Sequence, residues 1–151
     1  MNTTYLITGL SGFVGQHLYQ NLLARKEGDI WGITRRLRHP VSHTSSPLKW
    51  IEGPLTNTDF WISTFEKAKP DVIFHLSGQA QVKRSWDDPI ETFTANVLVQ
   101  THMMEALRKS DIKPVIIIAG SSEEYGQVQP TELPVKEETQ LRPLSPYAVS
   151  K

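Results

Sequence analysis

Short apolar runs and longer amphipathic stretches alternate along this chain. Tyr5-Leu6-Ile7 is the first run, closes on Thr8-Gly9, and reads as a buried strand. From Phe13 to Lys26 the apolar positions Phe13, Val14, Leu18, Leu22 and Leu23 fall at helical spacing, and Gly28 stands where such a helix would stop. Ile30 to Ile33 predicts a second strand. The polar stretch from Arg35 to Lys49, with two prolines and several serines, predicts a loop. Trp61 to Ala68 is a helix ended by Pro70, and Asp71-Val72-Ile73-Phe74-His75-Leu76 is a third strand. Pro89 suits a first helical turn, and Phe93, Val97, Met104 and Leu107 carry the periodicity on to Lys109. Pro114 to Ala119 contains Val-Ile-Ile-Ile, β-branched throughout, and predicts a buried parallel strand. Beyond Gly126 the chain is irregular, with prolines at 130, 134, 143 and 146.

Strands alternating with helices make a βαβ series, which folds as a parallel sheet with helices on both faces. The predicted class is therefore α/β, a Rossmann-type doubly wound sheet, with residues 1–151 forming one nucleotide-binding domain. A chain of 151 residues is long enough to bury a real core. Lys+Arg and Asp+Glu balance at 16 each, so no overall charge favours nucleic acid or an anionic membrane. The Arg35-Arg36-Leu37-Arg38-His39 stretch is basic only locally, either a solvated loop or an anion site. There is no cysteine, which excludes disulfides and thiolate metal sites and fits a cytoplasmic enzyme. The N-terminus shows no signal peptide, and the longest apolar run, Val115 to Ala119, is too short to cross a bilayer. Asn2-Thr3-Thr4 matches a glycosylation pattern that carries no weight without secretion.

Gly9-Leu10-Ser11-Gly12-Phe13-Val14-Gly15 lies between the first strand and the first helix, the context that gives such glycines meaning. Gly9 would permit the tight turn, Gly12 the approach of a pyrophosphate, and Gly15 close packing of helix on strand. The phosphates would then meet the unpaired N–H groups of the helix N-terminus. The alternative is a glycine-rich turn with no ligand. The spacing is G-x-x-G-x-x-G rather than G-x-G-x-x-G. At the end of the second strand an acid would accept a ribose 2′-OH, whereas an arginine would hold a 2′-phosphate. Here Thr34-Arg35-Arg36 contains no acid, which favours NADP over NAD.

Ser121 and Ser122 follow the Val-Ile-Ile-Ile strand, at the carboxyl end of the sheet where open α/β folds bind ligands. Tyr147 and Lys151, four apart, would share one face of a helix. A neighbouring ammonium and an oxidised nicotinamide favour phenolate over phenol, so a tyrosine so placed can exchange a proton while hydride moves. A serine hydroxyl would orient the substrate oxygen.

Five stretches in register resemble the extended short-chain dehydrogenase/reductase family. They are Gly9-x-x-Gly12-Phe13-x-Gly15, His75-Leu76-Ser77-Gly78-Gln79, Pro89-x-x-x-Phe93-x-x-Asn96, Ser121-Ser122-Glu123-Glu124-Tyr125-Gly126 and Ser145-Pro146-Tyr147-Ala148-Val149-Ser150-Lys151. Within it, Ser121 to Gly126 followed by Leu141-Arg142-Pro143-Leu144-Ser145-Pro146-Tyr147 is similar to GDP-4-keto-6-deoxy-mannose reductases, which reduce the C4 ketone with NAD(P)H to give GDP-rhamnose. Related GDP-mannose 4,6-dehydratases carry a hydroxyl, a Ser and a Glu that serves as base, and Glu123 stands at that position. The short segment after Arg36 and the second acid, Glu124, favour the reductase.

The resemblance implies a catalytic Ser121, with Tyr147 as acid/base and Lys151 holding the nicotinamide ribose. It also implies that Ser11, Phe13 and Val14 line the cofactor with the glycines, that Leu76, Ser77 and Gly78 continue that lining beyond the third strand, and that Asn96 supports the site. Where the family has an Asp-Leu or Asp-Ile pair near the adenine, this chain has Pro54-Leu55, so Leu55 remains and the acid's contact is lost. The family continues past the lysine into a smaller domain that binds the nucleotide sugar, so the chain is expected to be the front part, truncated before that substrate domain, of an enzyme about twice as long. The isolated fragment is expected not to turn over. A homodimer formed through the Pro89–Lys109 helix is implied in the same way.

Three other readings stay open: a dehydratase, an epimerase that recycles its cofactor, and a non-catalytic NADP-binding module. His39 and His43 lack helical support for a metal site, His75 is structural, and Lys83 and Arg84 lie either at the sugar-nucleotide entrance or on a solvated face. The four tryptophans share no spacing and are read as packing.

Overall fold

A computed structural model describes residues 2–26, 28–34 and 48–151. In chain order the first elements are β1 (Thr4–Thr8), α1 (Phe13–Arg25), β2 (Asp29–Thr34), β3 (Lys49–Glu52), α2 (Thr58–Ala68) and β4 (Val72–His75). There follow α3 (Val82–Asp87), α4 (Pro89–Phe93), a π-helical turn at Thr94–Leu98, α5 (Val99–Arg108) and β5 (Val115–Ile118). Tight 3-10 turns at Ser122–Tyr125 and Pro130–Glu132 and the short α6 (Pro146–Val149) complete the chain. The elements fall into two compact units, Met1–Ser77 with Val99–Ala119, and Gly78–Leu98 with Gly120–Lys151.

The first unit holds a five-stranded sheet in the order β3-β2-β1-β4-β5, parallel at every pairing. Side chains alternate across a strand, so neighbours in sequence serve opposite faces. Leu6 belongs to a core with Ile33, Ile73, Trp61, Phe65 and Met103, built by α2 and α5. Ile7 belongs to the other, with Leu10, Tyr19, Leu22 and Ile30, built by α1. Helices therefore cover both faces, as the alternating pattern predicts.

Trp61 is wholly buried, and its indole N–H donates to the Leu55 carbonyl at 2.8 Å. Trp61→Ala removes that packing and leaves the carbonyl without its donor, so it is expected to cost about 3–5 kcal/mol. A lowered urea midpoint at unchanged slope would check this.

Several boundaries differ from the sequence expectation. α2 starts at Thr58 because the Asn57 side chain caps it, accepting from the Phe60 N–H at 3.0 Å. The expected loop reaching Lys49 is corrected at its end, where Lys49–Glu52 pairs with Trp31–Thr34 as β3; residues 35–47 lie outside the described residues. The helix expected from Pro89 to Lys109 is interrupted by the π-turn. β5 is parallel as expected but not buried, for Val115 is 63%, Ile117 43% and Ile118 38% exposed. It has a strand neighbour on one side only among the described residues, and an apolar run signals β-branching and suitability for burial rather than burial itself.

The second unit gathers α3, α4, the π-turn and α6. α6 packs on α3 and α4, and the Ser122–Tyr125 turn touches it. Arg142 Nη2 donates to both Glu132 oxygens at 2.6 Å, and the Arg142 N–H donates to the Glu124 carbonyl at 3.0 Å. The Gln129 N–H, first, and Arg142, second, hold the Glu132 carboxyl below its ordinary pKa. The stability this gives is complete above the ordinary carboxylate range and is lost as pH falls through the lowered value. Glu132→Gln is therefore expected to flatten the acid side of a plot of unfolding midpoint against pH.

Among the described residues no helix is long and apolar enough to cross a membrane, and no cluster of three His, Asp or Glu side chains could hold a metal.

Candidate cofactor cradle and catalytic group

In the first unit the chain leaves β1 through Gly9, whose φ of +68° favours glycine, and the Gly12 N–H donates back to the Gly9 carbonyl at 2.9 Å. A Cβ at Gly9 would lie 2.8 Å from the Ser77 nitrogen, and one at Gly15 would lie 2.4 Å from the Gly9 oxygen and 2.6 Å from the Leu10 Cα. Strand, turn and helix therefore touch through backbone at both positions. At Gly12 the nearest protein atom to such a Cβ is the Gly9 oxygen, 3.1 Å away.

Gly12 opens α1 with no side chain capping the helix and no acid in its first turn. Ser11, Gly12, Phe13 and Val14 are all exposed around these N–H groups, and Phe13, 80% exposed, tilts against the His17 ring at 4.4 Å. An uncapped helix start without a carboxylate is suited to an anion.

The Thr8 hydroxyl joins the ends of β1 and β4. It accepts the Ser77 N–H at 3.1 Å and lies 3.1 Å from His75 Nδ1. His75 and Thr8 are both buried, which places His75 in the framework of the cradle. Ser77 Oγ is buried beside this turn with no hydrogen-bond partner among the described residues, and Leu76 is half-buried. An uncapped helix start, glycine-lined backbone and a waiting hydroxyl fit a dinucleotide phosphate and ribose. Thr34 ends β2; Arg35 and Arg36 lie outside the described residues, as do His39 and His43. Leu55 commits its side chain to the core beside Trp61.

In the second unit Ser121 caps its 3-10 turn, its Oγ accepting from the Glu123 N–H at 3.3 Å, so its own proton stays available to donate. Glu123 is exposed and Glu124 half-buried. Pro146 opens α6 and Ser145 caps it, accepting from the Ala148 N–H at 3.0 Å. Tyr147, 8% exposed, sits in this turn, and the Lys151 N–H bonds the Ala148 carbonyl at 3.3 Å. Burial lowers the Lys151 ammonium from its ordinary pKa, while the charge of Glu124 pulls the other way. A half-buried cation beside Glu124 is suited to act on a neighbouring charge or hydroxyl.

Asn96 lies in the π-turn, 2% exposed, and pairs with the main chain at Gln79. Gly78 leaves it room, since a Cβ there would be 2.7 Å from Asn96 Oδ1. Arg84 forms a two-pronged pair with Glu91 at 2.7 and 2.8 Å, and Lys83 is exposed. Ser150, which joins Asn96 to the Tyr147 turn, was not legible as a site residue. A serine beside a lysine gives no signal until its buried partner is known.

The family model described as GDP-mannose 4,6 dehydratase matches residues 6–151. GDP-6-deoxy-D-mannose reductase of Pseudomonas aeruginosa is 34% identical over 151 residues, covering 100% of this chain and 44% of the relative. The solved structure of RMD from Pseudomonas aeruginosa, complexed with NADPH, matches with a TM-score of 0.73 at 32% identity, over 99% of this chain and 45% of that one. UDP-glucose 4-epimerase of Thermus thermophilus, complexed with NAD, gives a TM-score of 0.83 at 28% identity, over 97% of this chain and 47% of that one. The chain thus spans less than half the length of these proteins. Tyr147 and Lys151 do not share a helix face as the spacing predicts, for α6 ends at Val149 and Lys151 lies beyond its cap. With the glycine turn and the parallel sheet in place and the family model matching nearly the whole chain, the chain belongs to the GDP-mannose 4,6 dehydratase family, within the extended short-chain dehydrogenase/reductases.

Proposed function

We propose that this chain is the dinucleotide-binding part of a nucleotide-sugar reductase, which uses NADPH to reduce the C4 ketone of GDP-4-keto-6-deoxy-mannose to GDP-rhamnose. The observation that carries this reading is the presence of Ser121, Tyr147 and Lys151 in a chain whose whole length aligns with a GDP-6-deoxy-D-mannose reductase. A binding module has no need of all three.

The glycine turn and the start of α1 would take the pyrophosphate, and Ser77 a cofactor hydroxyl. Arg35 and Arg36 would take the 2′-phosphate that separates NADP from NAD. When bound, the nicotinamide supplies hydride. Ser121 would donate a hydrogen bond to the ketone oxygen and hold it in place. Tyr147 would give that oxygen a proton as negative charge develops there. Lys151 would fix the nicotinamide ribose and favour the deprotonated tyrosine that remains. The exposed apolar side chains of Ile90, Phe93, Val97 and Leu98 support a homodimer of the whole protein, and the lack of cysteine a cytoplasmic setting.

A dehydratase is the second reading, favoured by Glu123, an exposed acid after a hydroxyl and a serine. The two are separated by supplying the whole protein with each substrate. Conversion of the keto sugar with loss of NADPH supports the reductase. Conversion of GDP-mannose to a keto sugar without net loss of NADPH makes Glu123 the base of a dehydratase. Binding of NADPH with neither conversion favours a non-catalytic module. Cofactor choice is tested by Arg36→Asp, expected to weaken NADPH binding at least tenfold while sparing NADH, because a carboxylate repels the 2′-phosphate.

A further inference from the structure

Asn96 spends its whole amide on two segments of the second unit. Its Oδ1 accepts the Gln79 N–H at 2.8 Å, and its Nδ2 donates to the Gln79 carbonyl at 3.0 Å. The remaining Nδ2 hydrogen goes to Ser150 Oγ at 2.8 Å. Ser150 in turn donates to the Tyr147 carbonyl at 2.7 Å, a backbond within the turn that carries Tyr147. The orientation of the amide is fixed, because only Oδ1 can accept the Gln79 N–H. Both residues are almost wholly buried, Asn96 at 2% and Ser150 at 5% exposure. Water therefore has little access to replace a lost partner.

Two costly features serve this arrangement. The helix beginning at Pro89 takes a π-turn at Thr94–Leu98, an irregularity that often marks functional sites and here carries Asn96. Position 78 is glycine, and any Cβ there would lie 2.7 Å from Asn96 Oδ1. A chain that needed only a stable helix could dispense with both.

We propose that Ser150 is a positioning residue: through Asn96 it ties the turn bearing Tyr147 and Lys151 to the main chain at Gln79, and so sets where that turn presents its phenol and ammonium. The proposal rests on the reading of Tyr147 as acid/base. Ser150 touches neither substrate nor cofactor in this role; it acts through the backbone of the turn.

The test is Ser150→Ala in the whole protein, assayed with NADPH and GDP-4-keto-6-deoxy-mannose beside Tyr147→Phe. The expected result is a kcat lowered roughly 10- to 100-fold with KM for the sugar nearly unchanged. Ser150→Thr, which keeps the hydroxyl, should recover most of the loss. Adding Asn96→Ala to Ser150→Ala should cost less than the two single losses combined, because the bond between the two side chains is lost in either single variant. Amide hydrogen exchange at Gln79 should also speed up in Ser150→Ala. A wild-type kcat in Ser150→Ala, with Tyr147→Phe inactive, overturns the positioning role alone. Full turnover in Tyr147→Phe overturns the acid/base reading, and the positioning role with it. Should Ser150→Ala fail to fold, Ser150→Cys keeps the volume with a weaker donor: a lowered kcat supports the proposal and a wild-type kcat overturns it.

Discussion

Replacing Gly15 by alanine is expected to weaken NADPH binding at least tenfold and to lower the unfolding midpoint as well. The new Cβ would stand 2.4 Å from the Gly9 oxygen and 2.6 Å from the Leu10 Cα. Both are backbone atoms, so neither can swing aside as a flexible side chain would. α1 must move away from the turn that leaves β1, at a cost of about 1–3 kcal/mol for the overpacking. The same movement displaces the helix start that would hold the pyrophosphate, and each 1.4 kcal/mol lost there is about tenfold in affinity. Gly12→Ala makes an informative companion. Its Cβ would meet only the Gly9 oxygen, at 3.1 Å, and otherwise fills the space proposed for the ligand. It should bind NADPH as poorly as Gly15→Ala while unfolding close to the wild-type midpoint. Fluorescence titration paired with thermal unfolding reads both effects. Equal binding by all three proteins would remove the glycine turn from the site.

The second large effect is on turnover. Tyr147→Phe in the whole protein should lower kcat by about 10²–10⁴-fold, the usual contribution of a positioned general acid or base. The phenol is carried by a turn held at one end by the Ser145 cap and at the other by Ser150, so phenylalanine should keep the same backbone. NADPH affinity should change little, because the proposed phosphate contacts belong to the glycine turn. A phenylalanine variant with both kcat and NADPH affinity collapsed would instead indicate a damaged fold.

The sheet was legible in the sequence because its signals are local. Leu6 and Ile7 announce a strand buried on both faces, and the spacing of Leu18, Leu22 and Leu23 announces the helix that covers one of them. Gly9 and Gly15 were legible for a related reason: a backbone contact that forbids a Cβ leaves its mark as glycine in the sequence. What was not legible depends on partners distant along the chain. Ser150 gains its meaning from Asn96, 54 residues earlier; Asn96 is expected from the sequence to support the site, but its pairing with the Gln79 main chain is not. The π-turn has no spacing of its own within a helical pattern. β5 differs for another reason: Val-Ile-Ile-Ile states a preference for burial that the described residues do not supply, in a chain spanning less than half the length of its relatives. The ion pair between Glu132 and Arg142 lies in a stretch whose prolines spoke only for irregular chain.

The most direct test of the proposed reaction follows the hydride itself. The whole protein is supplied with GDP-4-keto-6-deoxy-mannose and NADPH carrying deuterium on the transferable position of the nicotinamide, and the product sugar is examined by NMR. Deuterium at the sugar C4, with one NADPH oxidised for each product formed, is the result expected of a reductase. A sugar product free of deuterium, or NADPH left unconsumed while the sugar is transformed, would contradict it.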